Sequence, residues 1–289
     1  MFRDVVAGLA WRVSTPHRAS TPHDVYLHGH HDSVLRSHRW RTADNSAAHL
    51  LPHLRPGTSL LDVGCGPGTV TVDLARRVAP GEVVGLDAAP AVLDEARAHA
   101  AEAGVDNVRF EVGDVYTLPF PDSSFDVVHA HQLLQHLTDP VAALCEMRRV
   151  ARPGGLVSVR ESDYGGFAWF PESQGLEEWR TLYREVAAAL GAQADAGRRL
   201  SSWVRAAGFD PAGIVVGAGT WCYATDEDRA WWSGLWAERC VSSGFARAAL
   251  EHGLADEVAL EQLADAWREW GQQPDGWFVV LHGEVLARA

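Results

Sequence analysis

Residues 60–69 read Leu60-Leu61-Asp62-Val63-Gly64-Cys65-Gly66-Pro67-Gly68-Thr69. A short apolar run, Ser59 to Val63, enters a turn with glycine at alternate positions, and Thr69 opens a helical stretch to Val78. Three glycines so spaced permit a tight turn in which a ligand meets bare backbone. Outward from this turn, strands are expected at 82–86, 108–112, 125–130 and 156–160. Helices are expected at 90–103, with Pro90 in its first turn and Gly104 beyond its end, and at 140–150, capped by Asp139. This β-α-β-α-β rhythm, resumed as β-α-β, predicts a mostly parallel, doubly wound sheet.

Upstream, the first forty residues are polar and irregular, and a helix is expected from about Trp40 to Leu51. Downstream of the fifth strand the rhythm changes. Helices are expected at 172–190, 196–207, 226–240 and 256–270, with strands at 213–223 and 277–286. In the last helix Leu260, Leu263, Trp267 and Trp270 recur at helical spacing, which assigns these two Trp to core packing.

The ligand of the glycine turn follows from its surroundings. Asp87 ends the next strand, 19 residues after Gly68, where a carboxylate can accept both hydroxyls of a ribose. Gly113-Asp114-Val115 follows the third strand, where a carboxylate and a backbone N–H can bracket an adenine. A dinucleotide turn reads G-x-G-x-x-G, but here Thr69 stands where the last glycine belongs. Asp62, just before the turn, repels a pyrophosphate and suits an ammonium. Adenosine joined to an aminoacyl group points to S-adenosylmethionine.

Residues 40–165 resemble a class I S-adenosylmethionine-dependent methyltransferase of the ubiquinone/menaquinone-biosynthesis-like branch. The resemblance rests on Asp62 to Gly68, Asp87, Gly113-Asp114, Phe125-Asp126-Val127-Val128 with Leu134-Gln135-His136-Leu137, and Arg152-Pro153-Gly154-Gly155. It implies an α/β fold with a doubly wound seven-stranded sheet of order 3-2-1-4-5-7-6, strand 7 antiparallel, in which 213–223 and 277–286 are strands 6 and 7. It places Gly64, Gly66 and Gly68 against the methionyl part and Asp87 with Ala88 at the ribose. Gly113, Asp114 and Val115 fall at the adenine, and Ala130, His131 and Gln132 near the sulfonium. The product would be S-adenosylhomocysteine. Asp126 is expected to be a strand-start residue and not a ligand. Three regions are expected: an N-terminal lid (1–45) whose Tyr26, His31 and Arg41 touch the cofactor, a cofactor-binding core (46–165), and helical insertions around the last two strands (166–289) that cap the acceptor.

Methyl transfer needs positioning, desolvation and, for some acceptors, a base. His131 and His136 follow the fourth strand at the reactive sheet edge; each is either a general base with an ordinary pKa near ~6.5 or a packing and capping residue. Glu161, Asp163 and Tyr164, after the fifth strand, either orient the acceptor or cap a loop. Some of Phe167, Trp169, Phe170, Trp231, Trp232 and Trp236 are expected to line an apolar acceptor cavity, against the alternative that they pack helices to the core.

Composition narrows the class. The 289 residues carry a net charge of −13 and are 47% hydrophobic. An acidic chain repels nucleic acid, no window has the length of a membrane span, and no signal peptide is read at Met1 to Ser20. Four separated cysteines suggest reduced thiols and a cytoplasmic protein. His28-Gly29-His30-His31 lacks partners at ligand spacing, so no metal is expected. Twelve Trp, thickening after the midpoint, favour a small apolar or aromatic acceptor; a peptide substrate or a non-catalytic cofactor-binding partner subunit are the alternatives. The oligomeric state is expected to be monomer or homodimer.

Overall fold

The computed structural model describes residues 32–289. Five parallel strands, β1 (Leu60–Val63), β2 (Val83–Asp87), β3 (Val108–Val112), β4 (Phe125–His131) and β5 (Ala151–Ser162), lie in the order β3-β2-β1-β4-β5. Three more follow: β6 (Ala168–Phe170), β7 (Ile214–Tyr223) and β8 (Trp277–Arg288). β8 runs antiparallel to β5, with Leu156 opposite Arg288 and Ser162 opposite His282. β7 covers the other edge of β8 from Ala287 to Phe278. With β7 and β8 as the sixth and seventh strands, the order is the expected one. The eighth strand, β6, is an addition: three residues that continue the line of β5 along β8.

Side chains alternate across this sheet as the pleat dictates. Leu61, Val128, Val157, Val159 and Ala287 face α5 (Pro140–Val150) and α7 (Leu200–Ala206). Leu60, Val83, Val127, Leu156 and Leu286 face α3 (Thr69–Val78) and the segment around Ala47 and Leu50. Such two-sided burial is why the strands read as continuous apolar runs. α4 (Pro90–Glu102) packs Leu93 and Ala96 on Phe110 and Cys65, whose thiol is buried among apolar neighbours. A third core joins Trp179 of α6 (Gln174–Ala189), Trp236 of α8 (Asp226–Ser242), Phe245 of α9 (Gly244–Glu251), and Trp267 and Trp270 of α10 (Glu257–Gly271) around Phe278.

Four local expectations are corrected. The helix placed at Trp40–Leu51 is only α2 (Ala43–Ser46) and a 3-10 turn at Leu51–His53. Thr42 and Asn45 close a capping box at its start, and Ala47 leaves helical geometry at φ −135°. Within the supposedly irregular first forty residues, α1 spans Asp32–Arg39. α9 was not expected; Ser243 separates it from α8 by donating to the Arg239 carbonyl and accepting from the Phe245 N–H. The stretch at 196–207 begins as a 3-10 turn, Gly197–Arg199, before α7. No helix among the described residues is long and apolar enough to cross a membrane.

Candidate active site

A cavity of about 390 Å³ runs along the edge of the sheet where β1 to β5 end. Over β1, β2 and β3 its lining includes Asp62, Gly64 to Pro67, Asp87, Ala88 and Gly113 to Val115. These are residues that the sequence brings together. Gly64 and Gly66 have φ of +73° and +54°. A Cβ on Gly64 would lie 2.9 Å from Leu133, whereas one on Gly66 would meet no atom nearer than His38 Nδ1 at 3.9 Å. Gly66 thus leaves backbone bare toward the cavity. Gly68 does not line it; it caps α3 where a Cβ would strike Ala96, so close helix packing explains that glycine. Ala130 is likewise fully buried in the sheet core and outside the lining.

Asp87 fixes the turn from the neighbouring strand: Gly66 N–H donates to its Oδ2 at 3.0 Å and Ala89 N–H to its Oδ1 at 2.9 Å. Asp62 is 3% exposed, and Thr71 donates to it at 2.6 Å. Burial, with Asp87 nearby, pushes its pKa up to about 7 despite that hydrogen bond. A desolvated carboxyl there is complementary to an ammonium group. Asp114 Oδ1 accepts from Tyr116 N–H and so shapes the turn after β3. Bare backbone at Gly66, a buried carboxyl at Asp62 and a strand-end carboxylate at Asp87 fit an adenosyl amino acid.

Over β4, β5, β8 and β7 the lining changes character. His131 ends β4 and Gln132, Gln135 and His136 follow it, Tyr164 and Phe167 follow β5, and Trp221, Tyr223, Trp231, Trp232 and Trp236 come from β7 and α8. α1 and the residues after it close the side with Ser37, His38, Trp40 and Arg41. Tyr223 stacks on Trp232 at 4.3 Å, and Trp40 meets Trp221 edge-on at 5.3 Å. Of the aromatics singled out in sequence, Phe167, Trp231, Trp232 and Trp236 line the cavity. Trp169 and Phe170 lie outside it: β6 carries them onto β8, where Trp169 stacks on Phe278 at 5.6 Å beneath Arg180, and Phe170 is half exposed. Trp221, Tyr223, Arg41's neighbour Trp40, and Arg239 are lining residues that sequence reasoning passed over. The strand expected at 213–223 was their available signal, because alternation puts Trp221 and Tyr223 on one face.

Gln132 is a junction. It holds a left-handed φ of +51°, a conformation that a non-glycine residue adopts only when its surroundings compel it. Its Oε1 accepts from Arg41 at 2.6 Å, and its Nε2 donates to Ser162 at 2.7 Å and lies 2.9 Å from His282 Nε2. The next residues are held by Glu161, fully buried, which accepts from the N–H groups of Leu133, Leu134 and Gln135. Glu161 therefore fixes the turn and lies outside the lining, while burial pushes its pKa up to about 8. Asp163 is engaged by Arg198. Asp126 accepts from Ser59 and Arg152 at the far end of β4.

The two histidines at the end of β4 and beyond it do not keep an ordinary imidazole pKa. His131 is 7% exposed, its ring nitrogens have no hydrogen-bond partner among the described residues, and burial, then Arg41 and Arg160, hold it well below the usual range. His136 is lowered to about 3 by burial and by Arg41. Behind His131 the same sheet face stays polar: His129 and His49 flank Ser158 Oγ at 3.2 and 3.0 Å, and Arg160 donates to Glu284 at 2.9 Å. Glu284 has room because β7 offers Gly219 there, where any side chain would collide with it. Tyr26, His31 and the His28–His31 cluster lie outside the described residues. Among the described residues no three His, Cys, Asp or Glu side chains group as metal ligands.

Comparison with known proteins agrees with this geometry. A methyltransferase-domain family model matches residues 54–208. An uncharacterised methyltransferase of Schizosaccharomyces pombe is 34% identical over 268 residues, covering 90% of this chain and 95% of that one. The 27-O-demethylrifamycin SV methyltransferase of Amycolatopsis mediterranei is 36% identical over 163 residues, covering 55% of this chain and 57% of that one. A Haemonchus contortus phosphoethanolamine N-methyltransferase, solved with S-adenosylhomocysteine, shares the fold at TM-score 0.51 and 18% identity, over 81% of this chain and 49% of that one. Fold, cofactor turn and relatives converge, and the chain belongs to the class I S-adenosylmethionine-dependent methyltransferases.

Proposed function

We propose that this methyltransferase acts on a small, planar, largely apolar acceptor bound in the aromatic end of the cavity. The observation that carries this reading is the continuity of one cavity from the Gly64–Gly66 turn to the wall of Trp221, Tyr223 and Trp232. S-adenosylmethionine supplies an electrophilic methyl group on a sulfonium.

The chain's own residues divide the remaining tasks. Asp87 takes the ribose hydroxyls, Asp62 the ammonium, and Asp114 with the Val115 N–H the adenine. Gln132, fixed by Arg41 and Ser162, separates the two ends and sets where the reacting groups meet. The rings of Trp232, Tyr223 and Trp221 exclude water and offer π faces to an acceptor and to a cation, the latter worth about 0.5–2 kcal/mol each. Tyr164, stacked on Tyr183 at 3.8 Å, forms a rigid side wall. His131 and His136 act as neutral hydrogen-bonding groups, because an imidazole whose conjugate acid is so strong is a poor base at neutral pH.

Incubation with methyl-labelled S-adenosylmethionine and a cell extract, followed by size filtration, tests the reading. Label is expected in the small-molecule filtrate, in a product that organic solvent extracts away from unreacted S-adenosylmethionine and that forms only when the protein is added. Label retained with macromolecules would point to a peptide substrate, and no transfer at all to a binding protein without catalysis.

A further inference from the structure

The polar groups of the cavity are sorted by sign. Among the described lining residues the carboxylates are Asp62, Asp87 and Asp114, all over β1 to β3. The guanidinium groups, Arg41 and Arg239, line the other end. Arg41 reaches Gln132 at 2.6 Å and lies 5.7 Å from the centre of the Trp221 ring. Arg239 reaches Ser37 Oγ at 2.7 Å and lies 5.1 Å from the Trp236 ring. Beside them Tyr223 and Trp232 are 1% and 5% exposed, and their buried Oη and Nε1 have no hydrogen-bond partner among the described residues. An indole N–H can only donate. Gln135 adds an amide oxygen, but an amide can present either end to a ligand.

From this arrangement we infer that the acceptor carries an acidic hydroxyl, a phenol or enol, and is bound and methylated as its oxyanion, with Arg41 as its counter-charge and the Trp232 and Tyr223 donors as its hydrogen bonds. The inference rests on the small-acceptor reading above and narrows it to O-methylation.

The chemistry balances without a base in the cavity. The hydroxyl loses its proton to solvent before or on entry. An oxygen lone pair then forms the O–CH₃ bond, the S–CH₃ pair stays on sulfur, and anion plus sulfonium become a neutral ether and a neutral thioether. Loss of opposite charges in an apolar, water-poor cavity is favourable. An amine acceptor would instead leave a new ammonium beside Arg41 and Arg239, where the described residues place no carboxylate in the lining. The low basicity of His131 and His136 agrees: the acceptor must bring its own acidity. Among the described residues, the titratable and charged groups facing this end are His38 of α1 and Arg41 beyond it, His131 at the end of β4 and His136 after it, Tyr164 after β5, Tyr223 of β7 and Arg239 of α8.

The test uses 4-nitrophenol, whose phenolate is yellow and whose phenol is not, with the full chain saturated by S-adenosylhomocysteine. At the pH where half of the free probe is ionised, binding is expected to deepen the colour, a preference of about tenfold or more for the phenolate. Arg41→Gln is expected to abolish most of that preference and Arg41→Lys to keep part of it, each with an unchanged circular dichroism spectrum. Fading or unchanged colour, or tighter binding of 4-nitroaniline than of the phenolate, would overturn the inference, as would failure of the probe to bind. S-adenosylhomocysteine affinity, measured by calorimetry in the same samples, separates the two levels. Loss of that affinity strikes at the methyltransferase site itself, whereas a bound cofactor product with a faded or unbound probe removes only the oxyanion.

Discussion

Over β1, β2 and β3 the cavity is lined from one continuous stretch, Asp62 to Val115, and its polar groups are carboxylates and bare backbone. Over β4, β5, β8 and β7 it is lined from pieces as distant as Ser37 and Val280, and its polar groups are guanidinium, imidazole, indole and phenol on aromatic walls. The difference has a physical origin. In a doubly wound sheet, successive strand ends fall side by side, so a short stretch of sequence can surround an elongated cofactor. The planar acceptor proposed above would need walls from several directions, and those come only from segments brought together by the finished fold.

The sharpest expected contrast between the ends concerns acid. His49, His129, His131, His136 and His282 are all held below the ordinary imidazole pKa by burial, and all belong to the acceptor end or the polar layer beneath it. Each stays neutral in the fold, while the unfolded chain takes up a proton below its pKa of about 6.5. Stability therefore falls as pH drops through that value toward the folded values of about 3 to 4 of His49, His129 and His136. Asp62 and Glu161, raised to about 7 and about 8, work the other way: they keep protons in the fold near pH 5 that the unfolded chain largely releases. Five groups against two leave a net uptake of about three protons on unfolding near pH 5, each worth about 1.4 kcal/mol per pH unit. The expected outcome is a Tm that falls steeply from pH 6.5 to 4.5 in calorimetry, and less steeply in His129→Gln. A flat profile would show that these histidines are protonated in the fold.

Next in size, Trp236→Ala should lower stability by about 3–5 kcal/mol, read in urea titration, because this ring touches Trp179 at 4.4 Å and stacks on Trp267 at 5.8 Å as well as lining the cavity. The acceptor wall is thus also the core of the helical layer. Asp87→Ala should affect ligand more than fold. S-adenosylhomocysteine affinity should drop by about 1.5–3 kcal/mol for each charge-assisted hydrogen bond lost, roughly 10- to 150-fold, and an unchanged affinity in calorimetry would refute its role at the ribose. Smallest of all, Tyr223→Phe removes a buried hydroxyl that has no partner among the described residues. Stability should hold within about 1 kcal/mol or rise, while affinity for a hydroxyl-bearing acceptor falls. A large loss of stability would mean that the hydroxyl has a structural partner.

Legibility in the sequence follows the same division. The glycine turn, Asp87 and Asp114 are local signals, fixed to strand ends by spacing alone, and the structure has them along one cavity. Sheet order was available through the family resemblance. β6 was not, because three residues between a loop and a helix carry no period. The helix expected at Trp40–Leu51 failed because its apolar spacing was real but Ala47 breaks the backbone before Leu50 packs beneath β1. Trp169 and Phe170 were misplaced because nearness in sequence to Tyr164 says nothing about which edge of β8 a segment joins. The polar layer of His129, Ser158, Arg160, His282 and Glu284 was hidden for a different reason: its members are spread over β4, β5 and β8, and only register aligns them.

One element spans both ends of the cavity. α1 pairs Arg39 with Glu95 of α4 at 3.1 Å, and its His38 carbonyl accepts from Thr69, on the cofactor side. On the acceptor side its Arg36 pairs with Glu238, and Ser37 accepts from Arg239. A ligand at either end that favours this placement of α1 favours it for the other ligand as well. Linkage is reciprocal, so whatever factor cofactor adds to acceptor affinity, acceptor must add to cofactor affinity. To the extent that each ligand favours this placement of the helix, each raises the other's affinity.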